Sequence, residues 1–330
     1  MNRRQFVTTA VGLGIHSRLT WGDAAIGSPD KIDETLRSGI ARRHIPSAVG
    51  MAATATTTLY TGAFGKRDTE GTPVKADSIF AIASMTKAVT TVAAMQLVEQ
   101  GKVKLDEPVS KYLPQLEKLD VAEGFDAKGK AILRPAKTPV TLKHLLTHTS
   151  GFCYDNWDEK MFKFTSQSPA PPPDIVGPLM FEPGERWQYG TGVDWAGRLV
   201  EKISGMSLEE YFQARILGPL EMRDTSFILP PSKFDRMAGR WHRENGSDLK
   251  PNPRTQPPVP KTFNGGGGLY STAPDYVRFM QMILRNGRGV NNAAILEPKS
   301  VAGMEINQIG KSTAGKMRSF RPDTSSDVDI

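Results

Sequence analysis

Ser84 and Lys87 stand three residues apart in the segment SIFAIASMTKAVTTVAAMQLVEQG (78–101), where an apolar helix is expected to begin. A serine hydroxyl is a poor nucleophile until a neighbouring base takes its proton, and an ordinary lysine ammonium accepts none at pH 7. Removing an ammonium from water disfavours its charge, which is how a lysine at a buried helix start becomes a base. The spacing of three puts both side chains on one helical face, within hydrogen-bond reach. The helix N-terminus adds backbone N–H groups that can face a developing oxyanion. The plain alternative is a surface serine and lysine on an ordinary helix.

The pattern Ser-x-x-Lys alone is weak. It occurs three times, as SPDK (28–31), SMTK (84–87) and SDLK (247–250). Ser28 suits a helix cap, and Ser247 falls in a polar stretch where its lysine would be hydrated. Only Ser84 opens a segment that is apolar nearly all round, with Val89, Val92, Met95, Leu97 and Val98, which implies a buried helix. Other constellations are poorer. HLLTH (144–148) has the i, i+4 histidines of a zinc site but lacks the glutamate of HExxH and any evident third ligand, so no metal is expected. No G-x-S-x-G pentapeptide marks a Ser-His-Asp hydrolase. Gly265–Gly268 are not followed by G-K-[ST], so they suit a close backbone approach better than a phosphate loop.

The elements that must position Ser84 follow from patterning. SPDKIDETLRSGIARRHIP (28–46) reads as an amphipathic helix with Ser28 at the N-cap and Pro29 in its first turn. AVGMAATATTTLYTGAFG (48–65) suggests a two-stranded hairpin. Helical periodicity dominates from Ile79 to Asp224, with loops expected at 121–139 and 165–174. Residues 229–262 are polar and proline-rich, a long surface excursion. GGGGLYSTAPDYVRFMQMILRNG (265–287) reads as a glycine turn feeding a helix from Pro274 to Gly287. Composition is that of a globular chain: 330 residues, 38% hydrophobic, 23% charged. The +7 net charge is scattered rather than gathered into a basic, aromatic-interleaved patch, which argues against nucleic acid. No apolar run is long enough to span a bilayer. The lone Cys153 excludes an intrachain disulfide. At the N-terminus, an Arg-Arg pair, a short apolar run and small residues at 22–25 have the order of a twin-arginine export signal. Residues 1–25 are therefore expected to be removed on export to the periplasm, with a cytoplasmic protein as the alternative.

SMTK (84–87) resembles the nucleophile motif of the serine β-lactamase and penicillin-binding-protein superfamily, whose logic is acyl transfer to serine. LDEPVSKYLP (105–114), VTLKHLLTHTSGF (140–152), FEPGERWQYG (181–190), ILGPLEMRDTSF (216–227) and GGGGLYSTAPDYVRF (265–279) resemble, in order, segments of its class C β-lactamase-like branch. That branch also holds carboxylesterases and transesterases. The resemblance implies an α/β fold, an antiparallel sheet flanked by helices with an inserted, mostly helical domain. The expected boundaries are 26–80 and 255–330 for the sheet domain and 81–254 for the helical one.

By the same resemblance Ser84 is the nucleophile, Lys87 and a tyrosine share the base and acid roles, and the Ser84 N–H forms half of an oxyanion hole. The family's tyrosine is usually followed two residues on by asparagine. The literal pattern is Tyr154-Asp155-Asn156, but the surrounding signature favours Tyr189, in PGERWQYGTG, leaving Tyr154 as a loop residue near the site. Thr191 then replaces the asparagine, which tilts the substrate toward esters. Thr191, Gly266 and Gly267 are the expected substrate contacts. The family's third motif, a Lys/His/Trp with Thr/Ser/Gly and Gly on a cleft-lining strand, has no match: KTF (261–263) precedes the glycine run and GKST (310–313) lacks the last glycine. Further strands normally follow the point where this chain stops, so the sheet domain is expected to be truncated. The expectation is a monomeric serine hydrolase without cofactor, acting on a small-molecule ester or β-lactam. A truncated, non-catalytic penicillin-binding or scaffold protein and an acyl transesterase are the alternatives.

Overall fold

The structure, a computed structural model, describes residues 28–167, 176–243, 248–321 and 327–329. The expected export segment, 1–25, lies outside the described residues. Helix α1 (Pro29–Arg43) starts with proline in its first turn and ends on His44 in the left-handed region. Ser28 takes the N-cap position, but its hydroxyl makes no capping bond. The expected hairpin follows, β1 (Ser47–Ala53) against β2 (Thr58–Gly65), antiparallel with Ser47 opposite Gly65. α1 lies on it: the Tyr60 hydroxyl donates to Asp33 at 2.7 Å, and the Arg37 guanidinium sits 4.1 Å from the Phe64 ring centre.

Strand β3 (Phe80–Ala81) leads through a 3-10 turn (Ala83–Met85) into α2 (Thr86–Glu99). Val89, Val92 and Ala93 are fully buried, and the helix is apolar nearly all round because it passes through the middle of the main core. Beyond it, residues expected to be a loop form a hairpin instead, β4 (Asp120–Phe125) with β5 (Ala131–Pro135). The turn explains this. Asp126 Oδ1 accepts from the Lys128 and Lys130 amides at 2.8 and 2.9 Å, and Gly129 supplies φ +84°. Neither strand alternates: Val121 and Ala122 are buried side by side next to an irregularity in register at Ala122/Gly124, and Ile132 and Leu133 stay exposed.

Short helices follow: α3 (Leu142–Leu146), α4 (Glu159–Gln167), α5 (Gly192–Ser204), α6 (Leu208–Phe212) and the single turn α7 (Pro231–Phe234). Two-residue strands β6 (Trp241–His242) and β7 (Lys250–Pro251) pair within the proline-rich excursion. β8 (Tyr270–Ser271) pairs with β3 and leads into α8 (Ala273–Leu284), as the glycine-then-helix pattern predicts. The Thr272 hydroxyl caps α8 by accepting from the Asp275 amide, and Gln281 donates to Thr54 O at 3.0 Å, tying α8 to the first hairpin. α9 (Pro298–Glu305) and the pair β9 (Lys316–Met317) with β10 (Val328–Asp329) complete the described chain. The architecture is mixed α/β, and all five strand pairs among the described residues are antiparallel. The main core joins α2, α5 and α6, where Leu199, Leu208 and Phe212 have no more than 1% exposure. Among the described residues no helix is long and apolar enough to cross a membrane.

Candidate active site

Ser84 is delivered by the turn between β3 and α2. Ala83 holds φ +45°, an uncommon left-handed value for a residue with a Cβ, and it exposes the serine to solvent just before the helix. Two contacts fix the turn: Ile82 N donates to Leu269 O at 3.0 Å, and the Tyr276 hydroxyl donates to Met85 O at 3.0 Å. The start of α2 is stitched to the glycine run as well. Leu269 N donates to Thr86 Oγ1 at 3.1 Å, and Thr90 Oγ1 donates to Gly265 O at 2.7 Å.

Lys87, only 8% exposed, points into this seam. Its Nζ contacts three oxygens: Ser84 Oγ at 3.2 Å, the Tyr154 hydroxyl at 3.2 Å and Gly266 O at 2.6 Å. The nucleophile is open to a substrate while its amine neighbour is not. The glycines are there for room. A Cβ on Gly265 would sit 3.1 Å from Thr90, and one on Gly266 would sit 2.4 Å from Asp194 Oδ2.

Both tyrosines reach the site, by different faces. Tyr154 brings its hydroxyl to Lys87. Tyr189 brings its ring, whose centre lies 4.9 Å from Lys87 Nζ, and packs 5.4 Å from the Tyr154 ring and 4.7 Å from His148. Their loops are zipped together. Gln188 N donates to His148 O, Gln188 Nε2 to Trp157 O and Gly190 N to His148 Nδ1, while a Cβ on Gly190 would collide with Phe152 O at 1.8 Å. Asp158, buried, accepts from the Met161 amide and from Arg186, so the loop carrying Tyr154 is pinned at its far end.

Burial, then the nearby Asp194 carboxylate and Tyr189, push the Tyr154 phenol above its ordinary range. Burial also raises the Asp194 carboxyl, against the opposing pull of the Gly266 amide, Lys87 and Arg198. His148 is pulled down to about 4, by burial first and the Lys87 charge second. The two histidines of HLLTH have local duties: His144 closes a capping box with Thr141 at the start of α3, and His148 accepts the Gly190 amide. Among the described residues no group of three or more His, Cys, Asp or Glu could hold a metal. Cys153 is buried and its thiol is raised by that burial, which leaves it unreactive.

Beside Tyr154 opens a cavity of about 340 Å³, lined by Phe152, Phe164, Thr191, Trp195 and Asn264 among others. Thr191 therefore faces this cavity, whereas Gly266 serves Lys87 through its carbonyl, and a Cβ on Gly267 would come 3.8 Å from Ala83 C. Sequence reasoning did not find Asp194 or Asn264, which share the Gly266 amide at 3.0 and 2.8 Å. It also reduced Tyr154 to a loop neighbour. The literal Tyr-x-Asn was the available signal for Tyr154, and an acid among the buried Gly192, Val193, Trp195 and Ala196 of the first turns of α5 was the signal for Asp194.

A serine and a buried lysine at the head of a core helix, facing a glycine-rich turn, make a serine acyl-transfer site, and the Beta-lactamase family profile matches residues 32–320. The chain belongs to that family and is an enzyme of the serine-hydrolase type. Monacolin J acid methylbutanoyltransferase of Aspergillus terreus is 34% identical over 299 residues, which cover 84% of this chain and 71% of that protein. Lovastatin esterase of Penicillium rubens is 33% identical over 313 residues, covering 87% and 75%. Among solved structures, a simvastatin synthase (LovD6 mutant) of Aspergillus terreus superposes with TM-score 0.74 at 34% identity, covering 85% of this chain and 72% of that one.

Proposed function

We propose that the chain is a serine esterase or acyltransferase in which Ser84 carries the acyl group. One observation carries this reading: a buried amine, Lys87, 3.2 Å from an exposed serine hydroxyl and held on its other sides by a carbonyl and a phenol. In the proposed sequence Lys87 takes the Ser84 proton as Oγ bonds to the ester carbonyl carbon. The Ser84 amide, in the 3-10 turn that leads into α2, faces the developing oxyanion. The carbon–oxygen bond to the alcohol then breaks, and the proton passes from Lys87 to the departing oxygen, with Tyr189, whose ring centre lies 4.9 Å from Lys87 Nζ, in the relay role that the resemblance implies. Water or a second hydroxyl compound, deprotonated by the same amine, then attacks the Ser84 ester; the acyl–Oγ bond breaks, the acceptor keeps the acyl group and the proton on Lys87 returns to Ser84 Oγ. No cofactor enters.

Two considerations support esters over β-lactams. Thr191 offers one short hydroxyl where the resemblance leads one to expect an amide, and relatives bear the names of an acyltransferase and an esterase. The aromatic cavity beside Tyr154 suits an apolar part of such a substrate. We further propose that the protein acts as a monomer after twin-arginine export to the periplasm.

The test compares p-nitrophenyl butyrate, ethyl butyrate and nitrocefin, with fluorophosphonate labelling located by mass spectrometry. The expected result is label on Ser84, faster turnover of both esters than of nitrocefin, and no turnover by Ser84→Ala. Tyr189→Phe should lose far more rate on ethyl butyrate, whose alcohol needs a proton to leave, than on p-nitrophenyl butyrate. Label on another residue, or nitrocefin as the preferred substrate, would count against the proposal.

A further inference from the structure

Asp194, in the first turn of α5, is a half-buried acid at the site to which the steps above give no task. We propose that Asp194 is a positioning residue that holds Lys87 in its base geometry, acting through Gly266 and the Tyr154 hydroxyl. The proposal rests on the acyl-transfer reading of Ser84 and Lys87.

The geometry supplies two arms. On one, Asp194 Oδ1 accepts the Gly266 amide at 3.0 Å, and the Gly266 carbonyl receives Lys87 Nζ at 2.6 Å. Residue 266 has no side chain to give here, because a Cβ would come within 2.4 Å of the carboxylate. On the other, Asp194 and Tyr154 line the same cavity, the carboxylate acts electrostatically on the Tyr154 phenol, and the phenol oxygen contacts Lys87 at 3.2 Å.

Counting donors shows what the arms accomplish. A neutral lysine amine has two N–H groups and one lone pair, and its three oxygen neighbours compete for them. The Gly266 carbonyl can only accept. Tyr154 could donate or accept, but with its proton directed to Asp194 its oxygen is left to accept. Both N–H groups are then committed, and the lone pair faces the remaining neighbour, the Ser84 hydroxyl. Without the carboxylate the Tyr154 proton can turn to the amine lone pair and block it. Asp194 has a second effect once the Ser84 proton has moved. The new ammonium lies in a poorly solvated seam, where a nearby negative charge is worth more than in water. Asp194 thus stands to Lys87 as the acid of a Ser-His-Asp triad stands to its base.

The experiment uses the full chain as wild type, Asp194→Asn, Tyr154→Phe and the double variant. It reads the rate of Ser84 labelling by a fluorophosphonate, kcat and KM on p-nitrophenyl butyrate, and thermal melts. Asp194→Asn should lose at least about tenfold in labelling rate and in kcat, with KM within about twofold of wild type. The double variant should be no slower than the slower single variant, because both substitutions break one arrangement. Labelling of Asp194→Asn at the wild-type rate would overturn the proposal, as would losses that simply multiply in the double variant. Should Asp194→Asn melt too early to assay, Tyr154→Phe decides alone: a kcat-selective loss supports the proposal and wild-type labelling overturns it. A wild-type chain that takes no label on Ser84 overturns the acyl-transfer reading, and this inference with it.

Discussion

Gly266→Ala is the substitution whose consequence can be worked most directly from the geometry. The added Cβ would stand 2.4 Å from Asp194 Oδ2 and 2.7 Å from Oδ1. An ordinary contact needs about 3.4 Å or more, so roughly 1 Å must be found by moving either the carboxylate or the glycine turn. If the carboxylate swings away, its bond from the Gly266 amide is lost, although Asn264 Oδ1 still accepts that amide at 2.8 Å. If the turn retreats, the 2.6 Å contact between Lys87 and the Gly266 carbonyl stretches. The first case loses a hydrogen bond to a charged group, worth about 1.5–3 kcal/mol, and the second a bond from the neutral amine, worth about 0.5–1.5 kcal/mol. Overpacking adds about 1–3 kcal/mol. Differential scanning calorimetry should therefore show a loss of a few kcal/mol, and Ser84 labelling should slow by more than about tenfold. The control is Gly303→Ala in α9, where a Cβ meets nothing within 4 Å. That change should be neutral or stabilise by about 0.5–1 kcal/mol through better helix propensity. Equal melting temperatures and equal labelling rates for the two variants would refute the reasoning about the Asp194–Gly266 contact.

His148, held at about 4 in the folded state and near 6.5 when unfolded, takes up a proton on unfolding between those values. The stability tied to its neutral form is thus present above pH 6.5 and is lost as pH falls toward 4, by up to about 3 kcal/mol, and denaturant titrations of His148→Asn should show a flatter slope in that window. Asparagine suits the exchange because it tolerates the φ of +57° and can still accept the Gly190 amide. In the core, Phe212 is fully buried and packs 5.4 Å from the Phe227 ring. Phe212→Ala should cost about 3–5 kcal/mol in urea unfolding, with little change in the KM of whatever enzyme remains folded.

What the sequence made legible was local. Proline at the start of α1, the alternating hairpin 48–65, the apolar sweep of 89–98 and the glycine run before α8 each act within a few residues, and the structure follows them. The hairpin at 120–135 escaped because neither strand has a period of two, with Val121 and Ala122 buried side by side and Ile132 and Leu133 exposed, and only Asp126 with Gly129 betrays the turn. At the site, Ser84 and Lys87 were readable because three residues of one helix start set their distance. Tyr154 and Asp194 were not, since 67 residues separate Tyr154 from Lys87, and 72 separate Asp194 from Gly266. No local periodicity reports such a contact. It depends on Gly190 passing against Phe152 and on Gly266 making room for a carboxylate, which become visible only once the loops are placed.

The most direct measurement is the rate at which a fluorophosphonate esterifies Ser84 in Lys87→Met compared with wild type, both verified as folded by circular dichroism. Methionine keeps the buried volume and removes the amine that contacts Ser84, Tyr154 and Gly266. With Lys87 as the base, the wild type should take one adduct on Ser84 and the variant should do so slower by about 10² to 10⁴. Modification of Ser84 at the same rate in both proteins would contradict the account.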